Sequence, residues 1–221
     1  MSTLTTPRMH ARAAGLLYLL THVTSILAVL AYGAGQVPAG VTLELALAIG
    51  CVGTGVLIFV LLRDVGPACA TTFMALRGVE ASVILAGAMA MLAGSWVSTA
   101  DAVAAPALTQ LHAASFLIGQ GLVIGMNTIV LGSLLWSSRA VPRWIATLAV
   151  AGGAIVLSSD LAQLFGVIPM NGTVAAICAV PIFAFELSFA ITLIVRGVRP
   201  QVPRSTTPAN EAARSLSSEM R

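Results

Sequence analysis

The side chains able to do chemistry stand where the surrounding sequence reads as hydrocarbon. In ALRGVEASVIL (75–85), Arg77 and Glu80 are three positions apart. On a helix, residues i and i+3 share a face, so the two can pair directly. Two readings follow. The pair lowers the cost of burying two charges, or Arg77 holds Glu80, or an anionic ligand group, in a cavity. A charge at mid-bilayer costs at least ~2.5–3.5 kcal/mol, so either way it must face protein or water and needs a partner.

Glu186 lies in PIFAFELSFA (181–190), with Phe183 three residues before it and Phe189 three after. Each ring is about 60° around the helix from the acid by the 3.6-residue period. An acid in such an apolar setting tends to keep its proton, as a general acid must. Pro181 frees backbone groups one turn away, which often accompanies a cavity. The plainer reading is a protonated glutamate hydrogen-bonded to another helix.

Asp160, in LSSDLAQLF (157–165), shares a face with Gln163. It is either a second buried acid or an interfacial acid reaching outward. His22, in LLTHVTS (19–25), is a proton relay or a neutral packed imidazole. Gln120 and Asn127 are seven apart, hence nearly on one helical face. They are expected to bond between helices or to contact a substrate. Glu44 opens an apolar run, where the helix dipole favours an acid.

Taken together, Glu186, Glu80 and Asp160 are the candidate catalytic acids and bases. Arg77, Phe183, Phe189, His22, Gln120 and Asn127 are the candidate substrate-binding residues. The expectation is that they wall one shared cavity. The chemistry would be protonation of an apolar, prenyl-type substrate that enters from the lipid. Phe183 and Phe189 would offer π-faces to the carbocation, and Asp160 or Glu80 would take a proton at the end. An aromatic content of 5% is thin for a long cascade. A proton-coupled transporter of small solutes would use the same acids. An accessory protein would use them only as interhelical glue.

The elements that must position these residues are helices in a bilayer. The 221-residue chain is 58% hydrophobic and 9% charged, with a mean hydropathy of +0.97. A soluble domain carries roughly 25% charged residues. Six apolar runs are long enough to cross ~30 Å of hydrocarbon: 12–34, 42–62, 71–93, 114–137, 144–166 and 173–196. The fold class is therefore all-α, a polytopic bundle of six transmembrane helices. The first run is too long for a cleaved signal peptide. The connection at 94–112 contains AVAAPALTQL, which reads as an interfacial helix, and Trp96, which reads as an interface anchor.

All eleven basic residues are arginine. Arg8, Arg12, Arg63, Arg139, Arg143, Arg196 and those beyond it all fall at one end of the predicted spans. By the positive-inside rule that end is cytoplasmic, and both termini lie there. Residues 1–11 form a cytoplasmic N-terminal segment, 12–196 the membrane domain, and 197–221 a polar tail, rich in Pro, Ser and Thr from Pro200, expected to be disordered.

No basic cluster with interleaved aromatics suggests nucleic acid. Cys51, Cys69 and Cys178 form no CxxC and are expected to be packing residues, with no disulfide and no zinc. No aspartate-rich set suggests a Mg²⁺–diphosphate site, so no metal or cofactor is expected. The expected partners are the bilayer and an apolar small molecule. The small residues of GCVGTG (50–55) and GLVIG (121–125) suit contacts within one subunit, with a homo-oligomer as the alternative.

Four stretches carry a family resemblance: ARAAGLLYLLTHVTSI (11–26), LRGVEA (76–81), VPRWIATLAVAGG (141–153) and FELSFAITLIVRGV (185–198). In that order they resemble a bacterial membrane family known mainly as a domain of unknown function. The resemblance covers about 11–198 and implies six helices, with Arg77, Glu80 and Glu186 among its recurring polar positions. It also implies a bacterial cytoplasmic membrane. A second analogy, in site chemistry alone, is to small membrane-bound terpene cyclases, which protonate a prenyl chain with acids inside the membrane.

Overall fold

The computed structural model describes residues 5–97 and 103–198. Asp101, the tail from Pro200, and Arg199, Arg204, Arg214 and Arg221 lie outside the described residues. The described chain is helical throughout its length, with short connections. The helices are α1 (Thr5–Gly33), α2 (Val37–Leu62), α3 (Pro67–Trp96), α4 (Ala104–Ser138), α5 (Arg143–Leu164) and α6 (Thr173–Val195). All six are long and apolar enough to cross a membrane.

Several helices begin earlier than the apolar runs suggest. Pro38 and Pro67 read as breakers, yet both lie in the first turn of a helix. A proline is harmless there, because the first N–H groups of a helix have no partner within it. Similarly, α1 starts at Thr5, ahead of the apolar run that begins at residue 12. The stretch expected to be an interfacial helix is continuous with α4. That helix has 35 residues and is about 52 Å long at the helical rise. This exceeds ~30 Å of hydrocarbon, so α4 must tilt or project beyond it.

Within α4, Leu117–Val123 winds as a π-helix. Such wide turns are rare and often occur at functional sites. Gln120 is carried on this turn.

Each helix packs on the next in chain order, and α6 packs back on α1, which closes a ring. Small residues set the close approaches. A Cβ on Gly50 would meet Thr21 of α1, and one on Gly55 would meet Arg77 of α3. A Cβ on Gly125 would meet Leu157 of α5. GCVGTG and GLVIG therefore serve contacts within one chain.

The main core lies toward the end that carries the loop arginines. It holds Ile58, Leu62, Phe73, Leu131, Leu134, Leu135, Ile145, Phe185 and Leu193, all essentially inaccessible. Large apolar side chains such as Leu16, Val29, Ile49, Met89 and Ile177 face outward. An apolar outside with an apolar core is what a lipid-facing bundle requires. Trp96 is exposed at the last turn of α3. Arg143 lies over the Trp136 ring, 5.2 Å from its centroid, at the arginine end.

Candidate functional site

Arg77 and Glu80 pair as their spacing predicts. The Nη1 of Arg77 donates to Glu80 Oε2 at 2.9 Å and to Oε1 at 3.1 Å. Both side chains are almost wholly buried, each residue 2% exposed. α2 supplies the rest of the arginine's shell. Thr54 Oγ1 accepts from Nε at 3.1 Å and from Nη2 at 2.9 Å, and itself donates to the carbonyl of Cys51. The guanidinium also stands over the Tyr18 ring, 5.3 Å from its centroid. A buried guanidinium needs this many partners because desolvation outweighs a single ion pair.

Glu80 is equally well partnered. Asn127 Nδ2 donates to Oε2 at 2.7 Å, and the Cys51 thiol lies 3.6 Å from Oε1. Cys51 is thus more than a packing residue. With donors from α2, α3 and α4, the Glu80 side chain joins three helices.

Glu186 is met by His22 across the closing contact of the ring. The His22 Nε2 is 3.3 Å from Glu186 Oε2. The His22 Nδ1 is 2.9 Å from the Tyr18 carbonyl oxygen. A carbonyl only accepts, so Nδ1 carries a hydrogen. Nε2 is then the ring atom turned toward Glu186, at ion-pair distance from its carboxyl group. A proton passed between these two atoms would move from one acid–base group to the other. That is the arrangement of an acid–base pair, and histidine is well suited to it.

The pair opens on a cavity of about 210 Å³, lined by His22, Arg77, Glu80, Gln120, Phe183 and Glu186 among others. Ser25 donates to Gln120 Oε1 at 2.8 Å, which holds the amide in place. Phe183 packs on His22, with ring centroids 5.0 Å apart, and its other side is exposed on the outer surface. The cavity thus has a polar inner wall and an aromatic residue at its outer margin.

Three candidates are placed elsewhere. Phe189 is fully buried between Tyr18 and Phe185, with centroids 5.5 and 5.6 Å away, and does not line the cavity. Its position one turn from Glu186 left room for the neighbouring rings to cover it. Asn127 stands behind Glu80 and acts on the cavity only through it. Asp160 lines a second cavity, of about 260 Å³, which adjoins the first and shares Gln120 and Ala179 with it. It does not reach outward: the residue is only 8% exposed.

Sequence reasoning passed over Thr54 and Tyr18. The only signals were a hydroxyl inside a glycine-rich run and a tyrosine inside a leucine-rich one. It also missed a second polar group. Glu44 lies beyond the first turn of α2, so the helix N-terminus does not account for it. It accepts from Tyr32 Oη at 2.7 Å, and His112 Nε2 is 2.9 Å from its other oxygen. This cluster ties α1, α2 and α4 at the end away from the arginines. Among the described residues no group of three or more His, Cys, Asp and Glu side chains could hold a metal ion.

Against known proteins, the model of a domain of unknown function, DUF4386, matches residues 13–197. No curated protein and no solved structure matches the chain.

Proposed function

We propose an acid–base role for this chain, which belongs to the DUF4386 family, a domain of unknown function. The family description carries no activity, so the proposal rests on the site. The protein is a membrane-embedded enzyme in which the His22–Glu186 pair delivers a proton to an apolar, prenyl-type substrate and takes one back. The observation that carries this reading is the 3.3 Å approach of His22 Nε2 to Glu186 Oε2 at the wall of a cavity.

The other residues take supporting roles. Glu80 is held by Arg77 and Asn127, which makes it a poor proton acceptor, so the proton returns to the histidine pair. Arg77 fixes the charge of the inner wall. Gln120 orients a polar end of the substrate. Phe183 is placed to face a developing cation. The cavity is smaller than the ~300–1,000 Å³ that encloses a drug-sized ligand. Only the reacting end of the substrate enters it, and the rest lies in lipid beside Phe183 and Ile26.

The arginine distribution supports an orientation with both termini cytoplasmic, in a bacterial cytoplasmic membrane. The adjoining cavities favour one other reading, proton-coupled passage of a small solute through both.

The test compares untargeted lipid extracts from cells carrying wild-type protein, Glu186→Gln or Glu186→Asp. Glutamine keeps shape but cannot donate an acidic proton. Formation of the dependent product should fall by about 10²-fold or more, while aspartate retains part of it. If Glu186→Gln folds and its extract matches wild type, the enzyme reading fails. A lipid pattern unchanged in all strains, with proton-coupled uptake lost in Glu186→Gln, would favour the transporter.

A further inference from the structure

The second cavity holds an acid whose hydrogen bonding is half complete. Asp160 Oδ1 accepts from Gln163 Nε2. Gln163 cannot turn away, because its Oε1 accepts from the backbone N–H of Asn171 at 2.8 Å. Asn171 lies in the α5–α6 connection with a left-handed φ of 54°. Asp160 Oδ2 and the neighbouring Ser159 Oγ are buried with no partner among the described residues.

Neither protonation state of Asp160 cures this. The carboxylate lacks a donor, and the protonated acid would present an O–H with no acceptor. Buried polar groups without partners are rare, and each calls for an explanation. Oδ2 stands against the bare Cα of Gly121 on the π turn, where a Cβ would come within 2.8 Å of it. Phe116, Leu117 and Val156 give the same cavity an apolar side, and Gln120 and Asn171 complete its polar one.

We propose that this cavity binds a small organic cation: a primary or secondary ammonium with a short apolar arm. Its N–H groups reach Asp160 Oδ2 and Ser159 Oγ, and the arm lies along Phe116 and Val156. A quaternary ammonium has no hydrogen to give. An inorganic cation would leave the apolar side of the wall unused, and sodium is therefore one of the probes in the test. Asp160 is near the end of α5 and Asn171 is in the connection after it, so the ligand enters from the end opposite the arginines. The site is independent of the acid–base reading, which rests on the other cavity.

The test is isothermal titration of the full chain in lipid nanodiscs with butylammonium. Butanol, tetramethylammonium and sodium serve as competing probes. Butylammonium should saturate one site, Asp160→Asn should weaken it at least tenfold, and Glu186→Gln should leave it unchanged. The proposal is overturned if Asp160→Asn binds as well as wild type. It is also overturned if butanol, tetramethylammonium or sodium binds the site as well as butylammonium. Should Asp160→Asn fail to fold, labelling of the wild-type protein with a diazoacetamide, which esterifies carboxyl groups and does not couple amines to them, decides. Butylammonium should slow modification of Asp160 several-fold and spare that of Glu186, and equal labelling with and without it rejects the site.

Discussion

At the scale of single residues, the Arg77–Glu80 pair sets the inner wall, and its energetics are asymmetric. Replacing a buried ion pair by apolar groups is often tolerated, whereas removing one partner strands a charge and costs about 3–5 kcal/mol. Glu80→Gln would leave the guanidinium without its counter-charge, with Thr54, the Tyr18 ring and one amide oxygen as its remaining partners. The hypothesis is that Glu80→Gln lowers the thermal midpoint in detergent more than Arg77→Gln and Glu80→Gln together. A double variant no more stable than the single would show that the two do not act as a pair. Removing Asn127 by alanine leaves one acceptor less satisfied and should cost about 1–3 kcal/mol, visible in the same melts.

At the scale of elements, the ring depends on backbones that touch. A Cβ on Gly152 of α5 would sit 2.9 Å from the backbone nitrogen of Ile182 and 3.1 Å from the Pro181 carbonyl carbon. Neither is the end of a flexible side chain, so the helices would have to separate. Overpacking of this kind costs about 1–3 kcal/mol. Gly78 of α3 has nothing within 4 Å of an added Cβ, and alanine there gains helix propensity. The prediction is that Gly152→Ala loses stability while Gly78→Ala keeps or raises it. Equal melting points for the two variants would mean that the α5–α6 contact at Gly152 is not close.

The whole molecule has a packed half and an open half. The main apolar core gathers at the arginine end, and the cavities lie toward the other. With the proposed orientation, the closed half faces the cytoplasm. That orientation is tested on a chain whose three native cysteines have been replaced. A membrane-impermeant maleimide should label Val167→Cys from outside intact cells and reach Ser137→Cys only after lysis. Labelling of both from the same side would refute the arrangement with both termini inside.

What the sequence determined by itself is local in origin. Apolar runs of about 20 residues set the number of spans, because hydrocarbon thickness and helical rise are constants. The Arg77–Glu80 contact was legible because i and i+3 meet on any helix. Helix starts were misjudged at Pro38 and Pro67, since a proline marks a first turn as readily as a loop. The tertiary structure alone decided which side of each helix faces inward. In water that choice is written as a polar and an apolar face. In a bilayer the lipid and the core are equally apolar, so nothing around Tyr18 distinguishes it from the exposed Leu20. The meeting of His22 with Glu186, on the first and last helices, depends on that rotation. So does the burial of Asp160, whose side chain turns inward because Gly121 on the neighbouring helix leaves it the room.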